Sequence, residues 1–431
     1  MTHKVRDLTV EGLARVEGEG AMHVILTDGE LADVKLRIYE PPRFFEAFLR
    51  GRSYTEPPDI TARICGICPV AYQMSSCQAI EQICGTVIDE PIRVLRRLLY
   101  CGEWIESHVL HIYMLHAPDF LGASSALELA KDHRDLVETA LKLKKIGNEI
   151  MEVVGGRPIH PINVRLGGFY RVPTKRELAP LGERLRWARD AALETVRVVS
   201  TFDFPDLEID HEFVALHDPD EYAITRGRVI SDGGLDIDVK EYPEHFTEEH
   251  VPYSTTLHGH MIERGRYLVG PLARYALNYD QLPAIAKQAA VEAGLGKVVR
   301  NPFRSIQVRA VENVAACDEA IRIIEEYSEP DRPAVPVEPR AGTGHGATEA
   351  PRGLLYHQYT IDERGTILAA DIVPPTAQNQ EAIEADLRKL VAGNLSLGDH
   401  ELQHLCEQSI RNYDPCISCS THFLDFTVER R

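Results

Sequence analysis

Two Cys-x-x-Cys units constrain this chain more than any other feature: Cys65 and Cys68 in RICGICPVAY, and Cys416 and Cys419 in YDPCISCSTH. Such a unit can be half a zinc site, a thioredoxin-like redox pair, ligands to an iron–sulfur cluster or ligands to another metal. A redox pair belongs in a βαβ context, which neither unit has. A zinc ribbon separates its pairs by about 15 to 20 residues, whereas roughly 350 intervene here. A local knuckle is therefore impossible, and only the whole fold can bring four sulfurs together. Tetrahedral sulfur ligation suits zinc, iron or nickel, so sulfur counting alone does not decide the metal.

The remaining composition narrows the class. With 431 residues and 44% hydrophobic content the chain can build a large core. Its net charge of -19, from 66 acidic and 47 basic residues, opposes binding to nucleic acid or anionic lipid. The first residues lack the apolar run of a signal peptide, and no stretch of about 18 apolar residues could cross a bilayer. The expectation is a soluble cytoplasmic protein. Nine cysteines are too few for a disulfide scaffold, and Cys77, Cys84, Cys101, Cys317 and Cys406 are expected to be buried free thiols.

Residue patterning predicts an α+β fold, a long-helix bundle core with small β-sheet elements at the N-terminus and in inserts. Alternating apolar positions in the first fifty residues, with a turn at Asp28-Gly29, predict a hairpin or meander. Helical spacing predicts helices over about 90–115, 125–154 and 175–202, the first opened by Pro91 and the second closed by Gly155-Gly156. Residues 203–270 read as a β-rich insertion, and helices return around 280 and over about 305–327. The Pro/Gly-rich stretch 328–353 is expected to be irregular, with a hairpin around Glu363-Arg364-Gly365 after it. A last helix, about 399–412, leads into the second cysteine unit. The whole is expected to be one domain over 1–431, with a 1–60 β region and a 330–431 active-site region.

The surroundings of the cysteines contain more than a structural zinc site needs: Glu17, Glu46, Asp119, Arg352, Asp414 and His422 all sit in short distinctive contexts. At this level the chain resembles the catalytic large subunit of nickel-iron hydrogenases. The resemblance rests on RVEG (15–18), RFFEAFLRGR (43–52), RICGIC (63–68), SHVLHIYMLHAPD (107–119), GRPIHP (156–161), APRG (350–353) and DPCISCSTH (414–422), seven motifs in order.

The resemblance implies that all four cysteines hold nickel, Cys65 and Cys416 terminally and Cys68 and Cys419 also bridging to an iron that carries carbon monoxide and cyanide. Heterolysis of H2 needs a Lewis-acidic metal and a nearby base; by resemblance that base is Cys416, with Glu17 as the proton relay. Arg352 would overhang the open coordination position, held by Asp119 and Asp414. Pro351 would line the same pocket, and Thr376 would hydrogen-bond a cyanide. Glu46 and His422 would ligate a separate magnesium (or iron). His108, His111 and His160 are expected to be hydrogen-bonded core residues rather than ligands.

Where many family members carry a histidine four residues after the second cysteine of the first pair, this chain has Tyr72, which implies altered tuning. The chain has no G-x-G-x-x-G unit after a strand and no C-x-x-C-x-x-C run, so NAD(P) and iron–sulfur clusters are expected on other polypeptides. The resemblance is strongest to the cytoplasmic bidirectional NAD(P)-linked group, sulfhydrogenase-like. It implies an iron–sulfur small subunit and flavin (FAD)- and NAD(P)-binding diaphorase subunits as partners, H2 as substrate, and neither nucleic acid nor membrane. The competing readings are a regulatory H2 sensor, a zinc-stabilised scaffold, and a quinone-reducing relative that would lack the four cysteines.

Overall fold

Five long helices, Pro69–Cys84, Glu90–Val109, Arg134–Gly155, Lys175–Val199 and Ser305–Glu326, pack into the centre of the computed structural model, which describes residues 5–28 and 30–421. Their ends follow from local chemistry. Pro69 and Pro91 occupy first-turn positions, where no amide donor is needed. Thr174 and Glu177 form a reciprocal capping box at the start of the Lys175 helix. Gly85 and Gly156 close their helices in the left-handed region, at φ 62° and 88°.

Two of the expected helices differ. The span 125–154 is broken: Ser125 caps a short helix, Ala126–Asp132, His133 leaves helical geometry, and Arg134–Gly155 starts afresh. The helix from Glu90 changes at Leu110–His116 into a π-helical stretch before Ala117–Phe120. Pro118 contributes no N–H to the turn above it, which favours such a local rewinding.

The long helices meet closely at Gly102 and Gly147. A Cβ on Gly147 would lie 2.7 Å from the Gly102 carbonyl and 2.8 Å from the Glu106 amide. No side chain fits that crossing.

Small antiparallel sheets surround the helices. Val5–Val10, Gly20–Thr27 and Glu30–Ile38 form the expected meander, with Asp28 turning at φ 55°. Residues 203–270 supply short strands, among them Glu212–His217, Arg228–Ser231, Phe246–His250 and Leu257–Met261. The stretch expected to be irregular contains a strand, Gly342–Ala350, paired with Gly353–Ile361, which pairs in turn with Ile367–Val373. Its glycines have another purpose: a Cβ at Gly344 or Gly346 would come within 2.2 Å of the Ala79 carbonyl or 2.3 Å of the Ser75 carbonyl. They let the strand lie directly on the Pro69–Cys84 helix.

One buried apolar cluster joins the helices to the N-terminal meander, and a smaller one lies around Tyr242, Phe246, Tyr267 and Tyr356. A buried ionic network crosses the larger core. Arg274 donates to Glu312 at 2.8 Å and to Glu349 at 2.9 Å, stacks 4.1 Å over Trp104, and reaches the Pro351 carbonyl at 3.2 Å. His108 pairs with Glu312 at 2.9 Å. The network thereby fixes the strand end from which Arg352 projects. Among the described residues, no helix is long and apolar enough to cross a membrane.

Candidate metal centre

The two cysteine units do meet. Cys65 and Cys68 lie in the turn before the Pro69–Cys84 helix, and Cys416 and Cys419 in the turn after the Asp399–Arg411 helix. Cys65 Sγ lies 3.4 Å from Cys416 Sγ, Cys68 Sγ 3.6 Å from Cys419 Sγ, and Cys416 Sγ 2.7 Å from Cys419 Sγ. All four sulfurs are within 4.8 Å of one another, and no residue of the set is more than 3% exposed. Thiolates at about 2.3 Å from one tetrahedral ion sit about 3.8 Å apart, so the set is of the right size for a soft metal. Burial and the neighbouring sulfurs push the Cys416 thiol up. Four thiolates coexist here only with a cation to neutralise them.

Glu17 joins this cluster from the N-terminal region. Cys416 Sγ donates to Glu17 Oε2 at 3.2 Å, the Ser418 amide donates to the same oxygen at 3.0 Å, and the Ile417 amide donates to the Glu17 carbonyl at 2.9 Å. The next residue explains the RVEG wording. Gly18 has φ 92°, and a Cβ there would lie 2.6 Å from Ile417 Cβ, so only glycine allows the two segments to pair.

Arg352, 3% exposed, projects toward the cluster. Its Nε donates to the Asp414 carbonyl at 2.7 Å and its Nη2 to Asp414 Oδ1 at 3.2 Å, while Nη1 is buried without a protein partner. Asp414 holds φ 50°, a left-handed conformation that turns its carboxylate onto the arginine. Asp119 is placed differently from the expectation. It is gripped by Arg411, at 2.7 and 2.8 Å, and by Arg15, and no hydrogen bond or ion pair joins it to Arg352. Two arginines already satisfy its carboxylate, which leaves Asp414 as the anchor of Arg352. Burial raises the Asp119 carboxyl, but Arg411 and Arg15 outweigh it and hold it below the usual range.

Around the sulfurs, the Tyr72 hydroxyl is buried without a protein partner and feels Cys419, Cys68 and Cys416. Thr376 Oγ1 accepts from the Cys416 amide at 3.0 Å, which leaves its own proton free to donate. Free donors at Arg352, Tyr72 and Thr376 beside four thiolates fit a metal group whose ligands accept hydrogen bonds. His108, His111 and His160 all face protein partners: Glu312, the Arg411 carbonyl at 2.7 Å and the Ala62 carbonyl at 2.6 Å.

Glu46 stands apart, on the short helix Phe45–Leu49, accepting from the Ile372 amide at 3.0 Å. Burial first, then Asp371, pushes its carboxyl up to about 8. Glu248 is raised by desolvation and by Asp371 and Glu46, so three half-buried acids gather here, which suits an oxygen-loving cation. His422 lies outside the described residues.

Sequence reasoning missed two residues. Arg43 Nη2 donates to the Ile64 carbonyl at 2.6 Å and also to the Ser418 carbonyl, so it clamps both cysteine turns. Its motif had been recognised, but its reach could not be. Glu103, fully buried, accepts from the Val70 and Ala71 amides at 2.6 and 3.2 Å, anchoring the helix that follows Cys68. An acid at a core position of a helix was the available signal.

The fold and centre together define a hydrogenase large subunit, and comparison agrees. A family profile described as nickel-dependent hydrogenase matches residues 43–138 and 265–422, and the chain belongs to that family. It is 36% identical over 422 residues to sulfhydrogenase 1 subunit alpha of Pyrococcus furiosus, covering 96% of this chain and 97% of that one. It is 29% identical to NAD-reducing hydrogenase HoxS subunit beta of Cupriavidus necator, covering 97% and 95%. A crystal structure of an NAD+-reducing NiFe-hydrogenase in the H2-reduced state superposes with a TM-score of 0.88 at 26% identity, covering 97% and 99%.

Proposed function

We propose that this chain splits and forms H2 reversibly at a nickel-iron centre and exchanges electrons with NAD(P) through partner subunits. The observation that carries the reading is Glu17 Oε2 at 3.2 Å from Cys416 Sγ, a carboxylate in contact with one of four clustered sulfurs. A zinc scaffold has no use for that contact.

Cys65, Cys68, Cys416 and Cys419 would hold a nickel-iron group whose iron would carry carbon monoxide and cyanide. That group supplies the Lewis acidity and electron storage for heterolysis. The protein's own residues move the proton. Cys416 Sγ accepts it and Glu17 Oε2, already in hydrogen-bond contact, receives it. Arg352, held by Asp414 and backed by the fixed Pro351 carbonyl, is a fixed positive charge acting on Cys416, Cys68 and Cys65, with Nη1 left unpaired. Tyr72 would donate a hydrogen bond toward a cysteine sulfur and Thr376 toward a cyanide of the bound group. Asp119 acts at one remove, setting Arg411 and Arg15. Glu46, with His422, would bind magnesium (or iron).

Electron exit would require an iron–sulfur small subunit and diaphorase subunits carrying FAD and NAD(P), in the cytoplasm. The NAD-linked relatives support that partner set, and NADP is the favoured acceptor. The experiment is metal analysis with infrared spectroscopy on the purified complex, followed by H2-dependent reduction of NAD+ and NADP+. Nickel and iron with carbon monoxide and cyanide stretches are expected; zinc without such bands overturns the reading. Reduction of an artificial dye but of neither nucleotide would overturn the electron partner alone, and a loaded centre with negligible turnover would favour the sensor.

A further inference from the structure

The helix Glu90–Val109 carries two buried carboxylates on adjacent turns, Glu103 and Glu106, which are 0% and 3% exposed. A spacing of three residues places them side by side on one helix face. Glu106 is ion-paired with Lys144 of the Arg134–Gly155 helix, and the lysine side chain is 29% exposed. The contact depends on the Gly102–Gly147 crossing, which brings the two helix backbones together within one turn of both residues.

The pair lies behind the metal centre. Glu103 accepts from the Val70 and Ala71 amides, two and three residues after Cys68. Titratable and charged groups facing Glu106 are Lys144, Arg352, Cys65 and Glu103; those facing Glu103 are Glu106, Cys65 and Tyr100. No hydrogen bond joins either carboxylate to a cysteine among the described residues. Arg352 links the two sides, its charge acting on both Glu106 and Cys65, and its Nη1 is buried without a protein partner, as is the hydroxyl of Ser107, next to Glu106 in the chain. Atoms of that kind hold ordered water.

We infer that Glu103, Glu106 and Lys144 form a second proton exit from the four-cysteine centre, separate from Glu17. The inference rests on the hydrogenase reading. Each H2 yields two protons and two electrons, and the electrons leave through the partner subunit. A proton reaching the Glu103–Glu106 pair converts one carboxylate to the neutral acid, since two buried anions with one ammonium hold a shared proton. Glu106 then gives the proton to water beside the partly exposed Lys144 ammonium, whose charge holds the anion left behind, so an O–H bond breaks at Glu106 as one forms on water. Burial pushes the Glu106 carboxyl up to about 7, with Lys144 and Arg352 opposing, which suits a group that loads and unloads near neutrality.

The test compares wild type, Glu106→Gln, Glu17→Gln and the double variant as purified complexes with matched nickel content. Two readouts are taken: the infrared difference spectrum between H2-reduced and oxidised states, and H2/D2O exchange. Glutamine keeps the shape and an acceptor for Lys144 but carries no proton. The expected result is a protonated-carboxyl band that survives in Glu17→Gln, shifts in D2O and is lost in Glu106→Gln, with exchange in the double variant at least about tenfold below Glu17→Gln alone. Persistence in Glu106→Gln of the band that survives in Glu17→Gln, or equal exchange in the double and single Glu17 variants, overturns the inference and leaves a plain helix–helix ion pair. If Glu106→Gln fails to take up nickel, Lys144→Gln replaces it. There the carboxyl should stay protonated in both states and give no difference band, and an unchanged band overturns the inference. A wild-type complex without nickel or any H2-dependent spectral change would instead overturn the hydrogenase reading.

Discussion

Glu17 Oε2 and Cys416 Sγ are in hydrogen-bond contact at 3.2 Å although 399 residues separate them in the chain. The contact is enforced from three sides: by the Ser418 amide on the same carboxylate oxygen, by the backbone pairing of Glu17 with Ile417, and by Gly18, which makes room for Ile417. Such a thoroughly positioned acid predicts a transfer function. Glu17→Gln should keep its amide contact and its nickel while lowering H2-dependent dye reduction by roughly a hundredfold or more. Wild-type turnover in a variant with full nickel content would refute the assignment.

The buried network around Arg274 makes a stability prediction. Glu312 and Glu349 are fully buried, and Arg274 is the charge that balances both. Burial alone would raise Glu312, yet Arg274 and His108 hold it at about 2. Arg274→Met would strand two carboxylates in the core, a loss of about 3 to 5 kcal/mol, read as a lower denaturant midpoint. A midpoint within experimental scatter of wild type would mean the network is better hydrated than its burial indicates.

Much of this was legible in the sequence where the signal was local. Pro91 and Gly156 set helix ends through contacts within a few residues. The Cys-x-x-Cys spacing announced a metal because ligand chemistry is tied to residue type. What escaped depends on distant approach. Gly344 and Gly346 looked like loop residues because the helix backbone they accommodate lies more than 260 residues away in sequence. Asp119 was matched to the right motif, but its partners Arg15 and Arg411 are selected by the fold.

Those glycines can be tested. Gly346→Ala places a Cβ 2.3 Å from the Ser75 carbonyl, so the strand must move off the helix. The strand ends at Ala350, just before Arg352, so the arginine should shift as well. The expected result is about 1 to 3 kcal/mol of destabilisation together with reduced nickel retention on dialysis. Unchanged stability would show that the strand is free to lift without cost.

Acid sensitivity follows from the buried histidines. Burial holds His116 at about 3 and His108 at about 4. The unfolded chain protonates the same rings near pH 6.5, so between those values it binds more protons than the folded state, and stability rises with pH. His116 sits between the His111 and Phe120 rings, at 5.1 and 5.0 Å, an aromatic site that phenylalanine can occupy. From pH 7 to 5, His116→Phe should lose about 2 kcal/mol less stability than wild type. Parallel stability curves for the two proteins would show that His116 is not the group taking up the proton.

Metal removal should separate the nine cysteines into two classes. All nine are buried, and in the loaded protein those at the centre would also be neutralised by the cation. Without it, four thiols within 4.8 Å repel one another whenever more than one ionises, and the C-terminal turn is held by single hydrogen-bonding side chains, Glu17, Arg43, Thr376 and Thr256. That turn should open and expose Cys416 and Cys419 to alkylation. Cys77 and Cys101 have no such trigger, since burial among apolar neighbours pushes both thiols up to about 12. Native alkylation followed by peptide mass analysis should therefore label Cys416 and Cys419 in the chelated protein, while Cys77 and Cys101 remain unmodified in both forms. Identical labelling of the chelated and loaded proteins would mean that the turn keeps its shape without metal, and that the four-sulfur geometry is imposed by the fold alone.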